Sequence, residues 1–356
     1  MTTSDSFSQI GDISKLMSGS LNDAELMITE YLRPLANDMG ANLSSGWYNT
    51  AEVHKLGGFH INLTTSVAFA PENHRTFDMA KLALSDAIHY DYNIAKTIAG
   101  TKGSETQVWY VTDVPTIGEK EVVRFDLPAG SGYNMFPSPM LNAGVGLVKG
   151  TEILGRYMPK IKYGADKTNY ASLWGVGVKH DLKQWIPVVK SLPVLQISLL
   201  YGYTRVNFHS DLKPVTPAVL NALDLTTNAD WNTQNMDMKF QSHTASLLVG
   251  ASLPIVSFYG GAGISMTQTN LDLNGDYPMP TVVTNVGDPN FGEVVVTDNN
   301  IVKDPFKIEI KNQDGGITKP RFNIGMLFKF TVITINVDYT WANYSVATAG
   351  IGISVR

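Results

Sequence analysis

The 356-residue chain contains no cysteine and little charge. The absence of cysteine excludes disulfide bonds, thiol nucleophiles and cysteine-ligated metal sites. Charged residues make up 17% of the chain, below the roughly 25% of an average soluble domain. The formal net charge of -5 provides no basis for broad electrostatic binding to nucleic acid. We therefore expect no nucleic-acid partner.

Long apolar runs are missing as well. No window approaches the roughly 20 apolar residues of a membrane-spanning helix, and the most apolar stretch, residues 191–204, is interrupted by polar residues and a proline. The first residues, MTTSDSFSQIGDISK, lack the basic region and apolar core of a signal peptide. Two interpretations fit this start: a cytoplasmic protein, or the mature form of an exported protein.

Apolar and polar residues alternate in many segments, and this period of two is that of a β-strand. The alternation recurs near residues 59–69, 141–147, 195–204, 244–253, 258–267, 321–330, 333–341 and 345–355. Its phase reverses at Thr331 without a polar loop, which predicts a tight turn between antiparallel strands.

These strands have the character of an outer-membrane barrel. Many are about 9 to 12 residues long, near the length that crosses a bilayer obliquely. Their polar faces favour Gly, Ser, Thr and Asn over charge, and aromatic residues gather near strand ends. Very short connections and long polar ones are both present, as at the two rims of such a barrel. We predict an all-β fold, a transmembrane antiparallel β-barrel of about 14 strands with a short N-terminal helical hatch or plug segment. The alternative is a soluble β-sandwich or lipocalin-like barrel.

The terminal strand is expected to close the barrel by pairing with its predecessor and with the first strand, near residues 57–71. One face is apolar and the other small and polar; these faces comprise Ala347, Ala349, Ile351, Ile353 and Val355, and Thr348, Gly350, Gly352 and Ser354, respectively. We expect the apolar face to contact lipid and the polar face to line the lumen.

Two regions are expected. Residues 1–50 do not alternate and are assigned to an N-terminal helical hatch or docking segment. Residues 51–356 are assigned to an outer-membrane barrel with long extracellular loops near 211–237 and 270–319.

The N-terminal segment contains a helix signal. Asn22, with Glu25 three positions later, fits a capping box, which predicts a helix of about a dozen residues that Pro34 kinks or ends. Four roles stay open for this helix: it plugs the lumen, lies along the periplasmic mouth, docks a partner, or simply caps the barrel.

A second helical pattern lies in residues 179–193. Its apolar spacing predicts a short amphipathic helix between two strands, with Trp185 at the membrane interface and Lys179, Lys183 and Lys190 extended to phospholipid headgroups. The alternative is a helical turn that seals the end of the barrel.

The sequence contains few candidate catalytic or metal-binding motifs. The seven histidines, His54, His60, His74, His89, His180, His209 and His243, show no metal-ligand spacing. His243, with Ser242 or Ser246 nearby, is weighed as a Ser–His pair of the outer-membrane phospholipase type and interpreted as an ordinary lumen histidine.

Two further motifs are equally weak. Asp272, Asp276 and Asp288 offer carboxylates for calcium but lack the order of an EF-hand. GVGLVKG, residues 144–150, does not fit a phosphate-binding loop, and its glycines instead indicate tight curvature or bulky neighbours. We therefore expect no enzyme activity, no cofactor and no metal, and we assign no ligand-binding residue.

Four segments resemble a widespread group of Bacteroidota outer-membrane proteins. They are residues 32–71, 136–161 (FPSPMLNAGVGLVKGTEILGRYMPKI), 173–204 and 337–356 (VDYTWANYSVATAGIGISVR). That group is similar in layout to the FadL-type barrels, which carry long-chain fatty acids and other hydrophobic compounds, and to PorV of the type 9 secretion system. The resemblance implies a 14-stranded barrel with an N-terminal hatch in a Gram-negative outer membrane.

Two functions are expected from this layout. The first is a FadL-like outer-membrane barrel, in its mature form, that passes small hydrophobic molecules across the outer membrane. The second is a non-enzymatic accessory or scaffold subunit of a larger outer-membrane complex for barrel assembly, type 9 secretion or nutrient import. The expected partners are outer-membrane lipid, hydrophobic small molecules and other outer-membrane or periplasmic proteins.

Overall fold

The computed structural model describes residues 10–103, 106–163, 167–311 and 316–355, and these form a closed antiparallel barrel around a helix. The wall strands are β1 (Phe59–Phe69), β2 (Pro137–Gly146), β3 (Thr151–Tyr163), β4 (Asn169–Asp181), β5 (Leu195–Asp211), β6 (Asn235–Ser252), β7 (Val256–Asn274), β8 (Thr318–Phe330), β9 (Ile333–Trp341) and β10 (Ser345–Val355). Each strand pairs with its neighbours in the chain, and β10 returns to β1. An eleventh strand, Phe306–Ile310, pairs with β7 outside the wall.

The barrel has ten strands within the described residues, so the prediction of about 14 is wrong. Residues 70–136 account for part of the difference, because their strands Gln107–Val114 and Gly118–Asp126 pair with each other and not with the wall. The second of these strands carries Glu119, Lys120, Glu121 and Arg124, which lipid does not accommodate. Strands that form outside the wall do not add to its number, so the chain has more strands than the wall.

The predicted closure by the last strand is confirmed. Val355 lies opposite Phe59, and the pairing continues to Ser345 opposite Phe69. Thr348 is buried in the lumen at 3% exposure, whereas Ile351 is 55% exposed on the outer face. Both faces of β10 are therefore oriented as its alternation predicts.

The two ends of the barrel differ, also as predicted. One end, here the short-turn end, has connections 147–150, 182–194, 253–255 and 331–332. The other, here the long-loop end, has the connections 70–136, 212–234 and 275–317. Thr331 has a φ of 60°, the left-handed geometry of the tight turn predicted there.

An apolar band surrounds the wall. In β1 the residues Phe59, Ile61, Leu63 and Phe69 are exposed. The eleven residues of β1, at about 3.3 Å each and tilted by about 40°, span about 25 Å, the height of an outer-membrane apolar band. Aromatic residues mark its margin towards the long-loop end, where Tyr157 lies opposite Trp174 and Phe322 opposite Trp341.

Helix α1, Leu21–Ser44, lies inside the barrel and contacts β1, β2, β5, β6, β7 and β10. It has 24 residues, so the prediction of about a dozen is wrong. The cap is Ser20, whose side chain accepts from the Asp23 N–H, and not Asn22. Pro34 lies inside the helix and does not end it, because the surrounding strands supply packing that an isolated helix lacks. Next to it, the Tyr31 carbonyl accepts a hydrogen bond from the Ile98 N–H at 3.0 Å.

The remaining elements are short. The loops contain strands Thr76–Asp78, Ile88–Tyr90, Ile94–Lys96, Leu223–Leu225, Asp276–Pro278, Thr281–Val282, Val294–Thr297 and Ile301–Lys303. The 3₁₀ helices are Ile10–Ser18, Glu72–His74, Met79–Lys81, Val148–Gly150, Lys183–Trp185, Pro217–Leu220, Trp231–Thr233 and Asp298–Asn300, and one α-helical turn spans Pro187–Lys190. Among the described residues, no helix has the length and apolar composition needed to cross a membrane.

Candidate functional site

The wall is incomplete between β2 and β3. These strands pair over six positions, the last of which sets Leu141 opposite Tyr157. Towards the long-loop end, residues 137–140 of β2 and 158–163 of β3 do not pair across this interface in the described part of the chain. Each strand keeps its other neighbour, β1 and β4 respectively. We call this opening the lateral gap.

Prolines explain why pairing stops there. β2 contains Pro137 and Pro139, and β3 contains Pro159. If the register of Leu141 opposite Tyr157 continued, Pro139 would lie opposite Pro159. Proline has no N–H to donate to a ladder, so this position cannot form a normal antiparallel pair.

A β-bulge widens the gap on the β3 side. Met158 lies opposite Leu173 and Ile161 opposite Ala171, so β3 has one more residue than β4 in this interval. A bulge bends its strand and increases the local twist. The bulge therefore begins where the pairing of β3 with β2 has ended.

An apolar cavity of about 200 Å³ lies at the gap. It is lined by Leu35, Met39, Phe136, Pro137, Ser138, Pro139, Met158, Ile161, Tyr163, Ala171, Leu173, Val206, Phe208 and Phe240. The lining includes lumen-facing Leu173, which is 3% exposed, and outward-facing Ile161, which is 47% exposed. The cavity therefore extends from the lumen into the lateral gap.

The few polar groups of the lining are already engaged. The Tyr163 hydroxyl donates to the His209 carbonyl at 3.1 Å, and the Ser138 hydroxyl contacts the Met39 sulfur at 3.7 Å. A molecule in the cavity meets mostly carbon and sulfur atoms. At about 150 Å³ an apolar cavity already accepts benzene, so this one has room for a small apolar molecule.

Below helix α1 the lumen is filled. The Arg156 guanidinium donates to the carbonyls of Leu43 and Ser45 at the end of the helix, where cations are favoured. Its Cζ also lies 3.8 Å from the centroid of the Trp47 ring. These contacts anchor the helix end to the wall.

Residues 45–58 fill the lumen further down. The Tyr48 hydroxyl donates to Asn323 in β8, and the Ala51 carbonyl accepts from the Ser198 hydroxyl of β5 at 2.9 Å. This segment therefore packs against the wall strands inside the lower part of the lumen.

Four titratable side chains meet at the base of the lumen. Glu152 lies 2.9 Å from His54, 3.1 Å from His60 and 2.8 Å from Lys179, and all four are buried. The predicted contact of Lys179 with phospholipid headgroups is thus wrong, because Lys179 points into the lumen.

The other residues of that helical pattern lie outside. Trp185 is 68% and Val188 is 76% exposed. Lys183 is turned back to its own segment, where its ammonium donates to the carbonyls of Leu192 and Pro193.

The structure does not form a Ser–His pair at His243. Its imidazole is on the outer face, 2.8 Å from the Tyr201 hydroxyl, whereas Ser242 and Ser246 are buried in the lumen. Neighbours in a strand point to opposite faces. His243 is therefore not the lumen histidine that was predicted.

The loop aspartates are not brought together. Asp272 pairs with Lys239 at 2.8 Å, Asp276 accepts from the Asp230 N–H, and Asp288 caps its own turn at Asn290. Each carboxylate has a local role.

The lateral gap was overlooked in the sequence, although it leaves a signal there. Proline is normally confined to the edges of a sheet, and the two consecutive strands β2 and β3 contain Pro137 and Pro139 on one arm and Pro159 on the other. Prolines on both arms of a hairpin indicate that its open end is unpaired.

The family model described as "Family of unknown function (DUF6588)" matches residues 1–355. A search of curated proteins found no match. The translocator domain of autotransporter NalP from Neisseria meningitidis is similar at a TM-score of 0.30 and 9% identity, over 85% of this chain and 89% of that chain. The outer membrane protease OmpT from Escherichia coli is similar at a TM-score of 0.31 and 8% identity, over 83% of this chain and 94% of that chain. The TodX monoaromatic hydrocarbon channel is similar at a TM-score of 0.25 and 11% identity, over 91% of this chain and 70% of that chain. The barrel description rests on the strand register above and not on these similarities.

Proposed function

We propose a function from the geometry, because the chain belongs to the DUF6588 family, a family of unknown function. The protein is proposed to be an outer-membrane barrel of FadL-like action that passes a small hydrophobic molecule between its interior and the membrane. The observation that carries the proposal is the apolar cavity at the lateral gap.

The exterior supports an outer-membrane location. A closed barrel satisfies its backbone hydrogen bonds internally, as lipid requires, and the apolar band has the height of such a membrane. The resemblance to Bacteroidota outer-membrane proteins agrees with this location. In this orientation the long-loop end is extracellular and the short-turn end is periplasmic.

The lateral gap lies near the outer margin of the band. Lys160 and Lys162 are exposed on β3 beside it, and the Lys160 ammonium lies 3.5 Å from the centroid of the Tyr170 ring. Lysine side chains at the margin of the apolar band can extend to phospholipid headgroups. A hydrophobic molecule thus moves between cavity and membrane without entering bulk water.

The lumen favours a lateral path over an axial one. Helix α1 and residues 45–58 occupy the route to the short-turn end. Complete passage to the periplasm by an axial route requires this plug to move. The plug also supports a non-enzymatic role, because its contacts are structural.

The experiment measures binding of an apolar fluorescent naphthylamine dye to the purified barrel in detergent. Leu173→Trp fills the cavity and is expected to weaken binding at least tenfold. Val176→Trp, on the lipid face of the same strand and 54% exposed, is the matched control and is expected to bind normally. Equal binding by both variants, with both folded by heat-modifiable gel mobility, contradicts the proposal.

A second candidate is an accessory subunit of a larger outer-membrane complex. The filled axial path favours it, as do apolar side chains exposed on the long loops: Tyr92, Ile94, Ile117 and Val286. Gentle purification from the native membrane is expected to retain outer-membrane or periplasmic proteins in this case. A monomer free of other proteins contradicts it.

A further inference from the structure

Three donor atoms converge at the base of the lumen. Nδ1 of His54 lies 2.9 Å and Nδ1 of His60 lies 3.1 Å from Oε1 of Glu152, and the donor atoms all lie within 4.8 Å of one another. We propose that His54, His60 and Glu152 bind a divalent transition-metal ion of the zinc class. Two imidazoles and one carboxylate form a known zinc donor set that leaves one coordination position open.

The two donor separations at Glu152 are close to what such an ion needs, and the two imidazole donors lie within 4.8 Å of each other. Tetrahedral ligands at about 2.0–2.1 Å from zinc are separated from each other by about 3.3 Å. The two donor separations at Glu152 are therefore short by only a few tenths of an ångström. Small side-chain movements would seat the ion between the three donors.

Each imidazole has a feature that suits a ligand. Nε2 of His54 lies 3.0 Å from the Ser354 hydroxyl, and Nδ1 donates to the Glu152 carboxylate, whose oxygen can only accept. An ion would replace the Nδ1 proton, and Nε2 would then donate to Ser354, the kind of second-shell bond that fixes metal-ligating histidines. Nδ1 of His60 is buried and lies 3.1 Å from Oε1 of Glu152 without an aligned hydrogen bond to it, and a metal ion between the two atoms would satisfy both.

The wall provides space for this cluster. A Cβ on Gly144 would lie 2.4 Å from Cε1 of His60 and 2.7 Å from Oε1 of Glu152. Any larger residue would force the donors apart. Gly144 thus has bulky neighbours, one of the two interpretations of that motif.

Lys179 is expected to affect the affinity of this site for a metal ion. Its ammonium lies 2.8 Å from Oε2 of Glu152, so it leaves Oε1 for the ion and holds the carboxylate in place. Its charge also opposes a dication in a buried site. Lys179→Met is therefore expected to raise the affinity for zinc, whereas a site that exists only as an ion pair gains no metal affinity from this change.

Metal binding would link separate parts of the barrel. His54 belongs to residues 45–58 of the plug, His60 to β1, Glu152 to β3, and Ser354 to β10. An ion here would fasten the plug to the wall where the first and last strands meet. Because the donors are far apart in the chain, binding would stabilise the folded barrel selectively.

The test uses the full chain in detergent, stripped with a chelator and titrated with Zn²⁺ by calorimetry. We expect one ion per chain, at least tenfold weaker binding by His60→Gln and at least tenfold tighter binding by Lys179→Met. His243→Gln, on the outer face, is the matched control and is expected to bind like the unmodified protein. Substoichiometric binding, or equal affinity in His60→Gln and the control, overturns the proposal.

A second measurement uses the unmodified protein and tests the proposal even if a variant does not fold. Co²⁺ added to the unmodified stripped protein is expected to give the strong visible absorption of a four-coordinate site, lost on addition of Zn²⁺. The weak spectrum of octahedral Co²⁺ overturns the proposal whatever the variants do.

Discussion

The two halves of the lumen are built differently. Towards the long-loop end, the upper lumen, α1 packs through apolar side chains such as Met27, Ile28 and Leu32 against apolar strand residues. Towards the short-turn end, the lower lumen, Arg156, Glu152 and other charged or polar side chains are buried among glycines and aromatic rings.

The difference separates two tasks. Apolar packing is non-directional and roughly proportional to the area removed from water, so the upper lumen can contain a cavity without leaving polar groups unpaired. A buried polar network requires every partner in position, so the lower lumen fixes the plug in one place. The upper lumen is suited to holding a ligand, and the lower one to holding the plug.

Lys179→Met is expected to have the largest effect on stability. It leaves the buried Glu152 carboxylate without its cation, which costs about 3–5 kcal/mol when one partner of a buried pair is removed. The measurement is the free energy of unfolding from a guanidinium titration with chelator present. Lys183→Met is the control, because the Lys183 ammonium is exposed. This variant should change the free energy of unfolding by less than about 0.5 kcal/mol. Similar losses in both variants would show that the lower lumen is not held by this network.

Leu32→Ala tests the upper lumen and is expected to rank second. Leu32 is fully buried on α1, and Leu→Ala in a packed core costs about 3 kcal/mol through lost transfer energy and the remaining void. The same titration measures it. Leu223→Ala, on an exposed loop strand, is the control. A loss below about 1 kcal/mol would mean that the upper lumen relaxes into the void and is less tightly packed than its burial indicates.

The wall strands could be predicted from the sequence better than the helix and the side-chain contacts inside the lumen. Closure by β10, its two faces and the turn at Thr331 follow from alternation, because an apolar exterior on one side and a polar lumen on the other impose a period of two. The number of strands does not follow, since strands such as those of the charged hairpin in residues 107–126 form outside the wall.

The contents depend on register, which alternation does not specify. His54 and Glu152 are 98 residues apart and meet because β1, β2 and β3 pair side by side. Neither residue has a local motif, so the cluster was invisible in the sequence. The length of α1 was also hidden, because the packing that carries the helix past Pro34 comes from strands distant in the chain.

The smallest expected effect on stability, about 1 kcal/mol, comes from closing the lateral gap. The double variant Pro139→Val and Pro159→Val restores two N–H donors at facing positions and should let the β2–β3 ladder extend, stabilising the barrel by roughly one net hydrogen bond. A longer ladder narrows the way out of the cavity, so release of the naphthylamine dye should slow at least tenfold in a stopped-flow dilution.

Pro320→Val provides the comparison for that variant. Pro320 also lies in a wall strand, but it stays paired opposite Ile264, so its replacement leaves the gap as it is and should not change the release rate. Release at the original rate from the double variant would show that the dye leaves by another path. Equal slowing in both variants would show that wall prolines act on general flexibility. If dye release slows only in the double variant, the lateral gap is the exit. The reason is that the wall is open beside Pro139 and Pro159, whereas it is paired beside Pro320.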